Sequence, residues 1–117
     1  MREWVPAGID VCAVLAFVAI GRASHDEALN PIGFAGTAWP FLVGLAAGWA
    51  AVRAWRRPEA LVPTGVAVWA ATIVIGMVLR AVTGQGTAAA FVVVASLFLG
   101  AVLLGWRLVA GLRRAER

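Results

Sequence analysis

The sequence predicts an all-α membrane protein with four transmembrane helices arranged as two tandem helical hairpins, a parallel 2+2 repeat. Of its 117 residues, 62% are hydrophobic and only 14% are charged. The mean hydropathy of +0.90 is that of a chain which water solvates poorly. Four apolar stretches each come close to the roughly 20 residues that an α-helix needs to cross about 30 Å of hydrocarbon. They account for most of the chain, so residues 1–117 are predicted to form a single domain.

An internal repeat with an offset of 57 residues groups these stretches into two pairs. Repeat 1 covers about 5–57 and repeat 2 about 62–114, and 14 of the 53 aligned positions are identical. Each copy opens with Val-Pro-x-Gly, contains a Phe-Leu and a Gly-Trp pair, and closes with two arginines. Because each copy contains two spans, both copies enter the membrane in the same direction. The pseudo-symmetry axis is therefore predicted to run along the membrane normal.

The first predicted span runs from Val5 to Gly21. Pro6 suits the first turn of a helix, where the backbone N–H that proline lacks would have no intrahelical partner. A cleaved signal peptide is the competing interpretation of this span. However, no A-x-A-like cleavage site precedes the end of the stretch, and the Val-Pro-x-Gly start recurs in mid-chain. Helix one is therefore predicted to be retained.

The remaining spans are predicted at 34–52, 61–79 and 88–105. Gly44-x-x-x-Gly48 on helix two is a predicted packing seam, because small residues four apart let two helices approach closely. Pro63 places the start of helix three at its own Val-Pro-x-Gly segment. Ser96-x-x-x-Gly100 is the weaker counterpart of the glycine seam on helix four. These motifs leave open whether the seams join helices of one chain or of two.

The arginines predict the orientation, because positive charges beside helix ends resist translocation. Eight of the ten arginines fall on one predicted side of the membrane: Arg2, Arg53, Arg56, Arg57, Arg107, Arg113, Arg114 and Arg117. Both termini are therefore predicted to be cytoplasmic in a multi-pass plasma-membrane protein. These arginines favour contact with anionic lipid over nucleic-acid binding. Trp4, Trp55 and Trp106 are predicted at the same level, as an interfacial aromatic belt.

Two opposite charges distinguish the copies from each other. Asp10 aligns with an alanine of the second copy, and Arg107 aligns with an alanine of the first. With a rise of about 1.5 Å per residue, both charges fall at a similar shallow depth on the cytoplasmic side. We hypothesise that Asp10 and Arg107 form an ion pair. The alternative is that Arg107 extends to lipid phosphate while Asp10 caps its helix or faces water.

A second group of polar residues is predicted on the opposite side of the membrane. Its members follow helices one and three: Arg22, Ser24, His25, Asp26, Glu27 and Arg80. Arg80 has no acidic neighbour within its own loop. It either pairs with a carboxylate of the first loop or holds an anion or lipid phosphate beside the glycine-rich segment 83–87. These residues are candidates for ligand binding or ion pairing.

The sequence predicts no cofactor and no metal site. His25 is the only histidine, which excludes a bis-histidine haem within one chain, and adjacent residues on one short loop rarely surround a metal ion. Cys12 is the only cysteine, so no disulfide forms within the chain. An enzyme is the least favoured class of function, because no pair of nucleophile and base stands out.

Several of these residues carry a resemblance to a known family. The segments are Asp10, Gly21-Arg22-x-Ser24-His25, Trp39-Pro40-Phe41 with Gly44 and Gly48-Trp49, and Trp69 with Gly76-x-x-x-Arg80. In these segments the chain resembles the small actinobacterial membrane-protein family catalogued as domain of unknown function 3054. The resemblance implies a four-helix membrane protein and no particular activity. It marks Asp10, Arg22, Ser24, His25 and Arg80 as positions at which function is to be sought.

Two classes of function remain from the sequence. The first is a transporter-like or ligand-binding four-helix bundle that acts as a homo-oligomer. A carboxylate in helix one and glycine seams are similar to those of the small multidrug-resistance exporters, although Asp10 is shallower than the exporters' glutamate. The second is a non-catalytic structural or accessory subunit of a membrane complex. Convergence of Asp10, Thr72, Arg80, Arg22 and His25 on a hydrated cavity favours the first, and an interior filled by apolar side chains favours the second.

Overall fold

Four α-helices form an up-and-down bundle in the computed structural model, which describes residues 4–24 and 30–116. They are α1 (Val5–Ser24), α2 (Pro31–Ala51), α3 (Val66–Val82) and α4 (Ala89–Ala115). Each helix packs against the next along the chain, and α4 also packs against α1. The bundle measures 45 × 25 × 25 Å. All four helical segments are long and apolar enough to cross a membrane, which confirms the predicted all-helical class and the number of spans in the described residues.

Helix α1 begins at Val5, as the sequence predicts, and continues to Ser24. Its buried apolar residues recur every three to four positions, which places them on one face of the helix: Ala13, Val14, Phe17 and Val18. His25, Asp26 and Glu27 lie outside the described residues, as does the side chain of Ser24.

Helix α2 begins at Pro31, three residues before the predicted start of the second span. The side chain of Asn30 accepts a hydrogen bond of 2.7 Å from the backbone N–H of Gly33 and so caps the helix. Pro31 occupies the first helical position, where its missing N–H costs no hydrogen bond. These local start signals extend the helix beyond the apolar stretch from which the span was predicted.

The connection between α2 and α3, residues 52–65, contains two short helical turns. Arg53 has a left-handed backbone with φ of 51°, and a turn over Ala54–Arg56 follows it. Regular helix begins only at Val66, five residues after the predicted start. The reason is local, because Val62 is extended at φ −124° and ψ 129°, the conformation that a following proline favours.

The two predicted packing seams both lie within the chain. A Cβ atom added to Gly44 would come within 2.9 Å of the Ala71 carbonyl oxygen and of Thr72 Cα, so the backbones of α2 and α3 touch there. Gly48 meets the same helix one turn further along. On α4, Gly100 packs against the indole of Trp69. These contacts occupy both seams with partners from the same chain, so neither supports contact between chains.

Four phenylalanines pack against one another inside the bundle. Phe17, Phe41, Phe91 and Phe98 come from α1, α2 and α4, and their ring centroids lie 5.5 to 6.1 Å apart. Phe41 is fully buried. We call these four residues the Phe cluster. The terminal end is where α1 begins and α4 ends, and the opposite end is where α1 ends and α4 begins.

Candidate functional site

A buried ion pair joins α1 to α4 at the terminal end. The side chains of Asp10 and Arg107 are both 0% exposed. Arg107 donates from Nη1 to Asp10 Oδ1 over 3.0 Å and from Nη2 to Oδ2 over 2.7 Å. This parallel, bidentate geometry is the strongest form of contact between arginine and a carboxylate. The hypothesised ion pair is confirmed, and Arg107 does not extend towards lipid phosphate.

Two tryptophans complete the surroundings of the carboxylate. Trp49 donates its indole N–H to Asp10 Oδ2 over 2.8 Å, and Trp106 donates to Oδ1 over 2.9 Å. Each oxygen of Asp10 therefore accepts two hydrogen bonds. The two tryptophans align with each other at the 57-residue offset. Trp106 was predicted in an interfacial aromatic belt with Trp4 and Trp55, but its indole N–H points inward to this carboxylate.

Two further donors of Arg107 bind backbone carbonyl groups. Nε donates to Pro58 O over 2.9 Å, and Nη1 also donates to Leu103 O over 3.0 Å. Gly65 makes room for the side chain, because an added Cβ would lie 2.9 Å from Arg107 Cδ. We call Asp10, Trp49, Trp106, Arg107 and these two carbonyl groups the Asp10 network. It connects α1, α2, α4 and the segment before α3.

The Asp10 network is saturated with hydrogen bonds. No buried side-chain nitrogen or oxygen in residues 4–24 and 30–116 lacks a partner. A carboxylate whose two oxygens accept four hydrogen bonds offers little room for a transported cation. The geometry therefore favours a structural role for Asp10 over a cation-binding role.

Replacement of Trp49 by phenylalanine tests the contribution of the indole donors. Trp49→Phe keeps an aromatic ring but removes one hydrogen bond to a charged group, so we expect the free energy of unfolding to fall by about 1.5–3 kcal/mol. Trp106→Phe should have an effect of similar size. The measurement is unfolding in mild detergent, with Trp55→Phe as the control because Trp55 is 59% exposed. Losses no larger than that of the control would show that the indole donors contribute nothing.

A cavity of about 580 Å³ lies at the opposite end of the bundle. Its apolar wall is formed by residues of α1 and α4: Phe17, Val18, Phe91 and Val94. Its polar residues come from three helices and from the connection before α4: Arg22, Thr37, Arg80 and Gln85. Two of the predicted site residues, Arg22 and Arg80, therefore line one cavity.

Arg22 reaches the cavity from the last turn of α1. Its Nη1 donates to Thr37 Oγ1 over 2.9 Å, and the Thr37 hydroxyl donates in turn to Gly33 O over 3.2 Å. Gly33 allows this approach, since an added Cβ would lie 2.5 Å from Arg22 Nη2. The start of α2 thus positions the guanidinium at the end of α1.

Arg80 reaches the cavity from the last turn of α3. Its Nε donates to Gly86 O over 2.9 Å, and its Nη1 donates to Gln85 Oε1 over 3.0 Å. The guanidinium carbon lies 4.5 Å from the centroid of the Phe91 ring, a cation–π contact. The glycine-rich segment that the sequence singled out therefore holds the side chain of Arg80 with an amide and a carbonyl oxygen.

The convergence of polar residues that would favour a transporter-like or ligand-binding bundle is present only in part in the described residues. Arg22 and Arg80 share a cavity, but Asp10 lies at the other end of the bundle. Thr72 donates to Val68 O within α3 over 2.7 Å. The predicted His25 lies outside the described residues. Sequence reasoning missed Trp49 as a donor to Asp10, although its alignment with the second Gly-Trp pair marked the position.

These features define a class of protein, a small multi-pass membrane bundle of four helices. Residues 7–110 match the model of the family described as "Protein of unknown function (DUF3054)". Because this match covers most of the chain, the protein belongs to that family, as the resemblance in its sequence indicated. Comparison with curated proteins finds no match, and comparison with solved structures finds none either.

Proposed function

We propose that the protein is a ligand-binding membrane protein whose opposite-end cavity binds an anionic amphiphile. The observation that carries this proposal is the pairing of two arginines with an apolar wall in one cavity. Arg22 and Arg80 come from the ends of different helices, yet both line the same space of about 580 Å³. Ligand cavities in proteins commonly measure about 300–1,000 Å³ and combine an apolar lining with a few polar groups.

The chemistry of the lining indicates the class of ligand. A guanidinium presents a planar fork of donors that suits a carboxylate or a phosphate, which favours an anionic head group. The apolar wall of Phe17, Phe91 and Val94 suits a hydrocarbon tail, because burial of apolar surface is favourable. A ligand with both parts matches the cavity better than a small hydrophilic anion.

Binding is better supported than transport by a single chain. A solute that crossed along the bundle axis would have to pass the Phe cluster and then the Asp10 network. We therefore propose transport only for a homo-oligomer, in which a pathway lies between chains. Native mass spectrometry of the protein released from a mild detergent tests both points, since it reports the number of subunits and any retained amphiphile. A bare monomer would contradict the oligomer.

A structural or accessory subunit is the second candidate function. It is supported by the aromatic filling of the bundle and by the saturation of the Asp10 network. Both features stabilise a rigid bundle without offering a route for a solute. This candidate predicts that the opposite-end cavity has no preference among amphiphiles of different charge.

Topology and repeat architecture are part of the same proposal. We propose a plasma-membrane location with both termini cytoplasmic, because most of the arginines lie at the terminal end. The parallel 2+2 repeat is supported by Trp49 and Trp106, which align in the two copies and donate to opposite oxygens of one carboxylate. Asp10 and Arg107 are then the two charged residues that stand where the other copy has alanine.

Removal of both cavity arginines tests the proposed ligand class. In neutral maltoside detergent, dodecyl phosphate is expected to raise the Tm of the wild-type protein, whereas zwitterionic dodecylphosphocholine is not. A ligand at 100 times its Kd stabilises the folded state by about 2.7 kcal/mol. Arg22→Gln with Arg80→Gln should lose this stabilisation, because the head group loses its cations.

The control variant is Arg53→Gln with Arg113→Gln, which removes the same charge at the terminal end from residues that line neither cavity, and should retain the Tm shift. Gly33→Ala is a second probe. It keeps all charges, but the added methyl group displaces the Arg22 guanidinium. It should weaken binding of dodecyl phosphate. An undiminished shift in both cavity variants would place the ligand elsewhere.

A further inference from the structure

A second cavity, of about 340 Å³, lies at the terminal end. It is lined by the connection between α2 and α3 and by the end of α4: Arg56, Arg57, Pro58, Glu59, Ala60 and Arg114. None of these residues lines the opposite-end cavity. The two cavities are therefore separate and lie at opposite ends of the bundle.

The lining of this second cavity carries a net positive charge. It has three guanidinium groups and one carboxylate, and that carboxylate is already engaged, since Glu59 forms an ion pair with Arg114. Within the described part of the chain, Arg56 and Arg57 form no ion pair. Both side chains are exposed. Two neighbouring guanidinium groups on such a cavity favour a phosphate, which accepts hydrogen bonds at several oxygens.

Hydrogen bonds hold the connection in a fixed shape. The backbone N–H of Arg57 donates to Ala54 O over 3.1 Å, and Arg57 O accepts from Thr64 Oγ1 over 2.8 Å. Pro58 O accepts from the buried Arg107, and Glu59 ties the segment to α4. A scaffold fixed in advance loses less conformational entropy when a ligand binds.

The position of the cavity favours a lipid as the source of the phosphate. Trp55 immediately precedes the two arginines and is 59% exposed. Exposed tryptophans at the ends of spanning helices are typical of the level of lipid head groups. Arginines beside the membrane surface also attract anionic lipids.

We propose that Arg56 and Arg57 bind the phosphate of an anionic phospholipid in the terminal-end cavity. The Glu59–Arg114 ion pair, Pro58 and Ala60 line the rest of this site. The site has no part in the amphiphile binding proposed for the opposite end. It gives this protein a preference for particular lipids at one surface of the membrane.

The test measures binding of short-chain phosphatidylglycerol and phosphatidylcholine to the detergent-solubilised protein by native mass spectrometry. The wild-type protein should prefer phosphatidylglycerol. In the Arg22→Gln, Arg80→Gln background, which removes the contribution of the opposite-end cavity, Arg56→Gln with Arg57→Gln should weaken its binding at least tenfold and remove the preference. Arg53→Gln with Arg113→Gln removes the same charge at the same end, but neither residue lines the cavity. This control should change the affinity less than twofold.

Further variants and probes separate a defined site from general attraction. Arg56→Lys with Arg57→Lys keeps the charge but removes the planar forks, so an intermediate loss of affinity is expected. Because these side chains are exposed, all variants should melt at the wild-type Tm. Equal losses in the glutamine variant and its control would overturn the proposal, because binding would then follow total charge alone. Displacement of the lipid by an equal concentration of glycerol phosphate would also overturn it, by showing that free phosphate is the ligand.

Discussion

Asp10→Asn is expected to lower the free energy of unfolding by about 3–5 kcal/mol, because it leaves the charge of Arg107 buried without its partner. The asparagine has nearly the shape of the aspartate, so packing is preserved while the negative charge is removed. Both side chains are 0% exposed, which means that water does not replace the lost interaction. Unfolding in mixed micelles by a denaturing detergent measures this loss.

A double-mutant cycle separates the ion pair from its surroundings. Asp10→Asn, Arg107→Met and the double variant should show a coupling energy within about 0.5–3 kcal/mol, near the upper end for a bidentate contact. The Glu59–Arg114 pair is the control, because it lies at the surface, where such pairs contribute about 0–1 kcal/mol. Additive losses for Asp10 and Arg107 would contradict a stabilising ion pair.

Purely apolar replacement of this pair should not recover the lost stability. Asp10→Leu with Arg107→Met removes both charges, but it also leaves the indole N–H groups of Trp49 and Trp106 without their acceptor. An unsatisfied buried donor costs about 1–3 kcal/mol. The double apolar variant should therefore remain less stable than the wild-type protein. Full recovery would show that the tryptophans find other partners.

Gly44→Ala is expected to destabilise the protein by forcing apart the close backbone contact between α2 and α3. The added Cβ would lie 2.9 Å from the carbonyl oxygen of Ala71 and from Thr72 Cα. Both are backbone atoms of α3, so they cannot rotate away as the end of a long side chain can. The two helices must separate, and overpacking of this kind typically costs about 1–3 kcal/mol.

Gly36→Ala is the matched control on the same helix. No atom lies within 4 Å of a Cβ added to Gly36. Alanine is a better helix former than glycine by about 0.8–1.0 kcal/mol, so this variant should be neutral or slightly more stable. The same unfolding measurement in micelles compares the two substitutions. A Gly44→Ala variant as stable as Gly36→Ala would show that α2 and α3 do not need their close contact.

Local chemistry explains which parts of the fold were predictable. Length and hydropathy of each apolar stretch gave the four spans, because a helix in a membrane satisfies its backbone hydrogen bonds within itself. The N-terminal limit of α2 was less predictable, because Asn30 and Pro31 start the helix before its apolar stretch begins. Likewise, the extended Val62 delays the regular part of α3.

For the candidate sites, the sequence by itself placed Asp10 and Arg107 at one depth in an apolar medium and so suggested their ion pair, because opposite charges attract each other there; the structure shows the contact. The sequence also singled out Arg22 and Arg80 as polar residues at helix ends. Only the tertiary structure decided that Trp49 and Trp106 donate to Asp10, across 39 and 96 positions of the chain. The tertiary structure also decided that Arg22 and Arg80 share a cavity. The physical reason is that hydropathy fixes the depth of a residue, whereas helix packing and rotation fix which side chains meet at that depth.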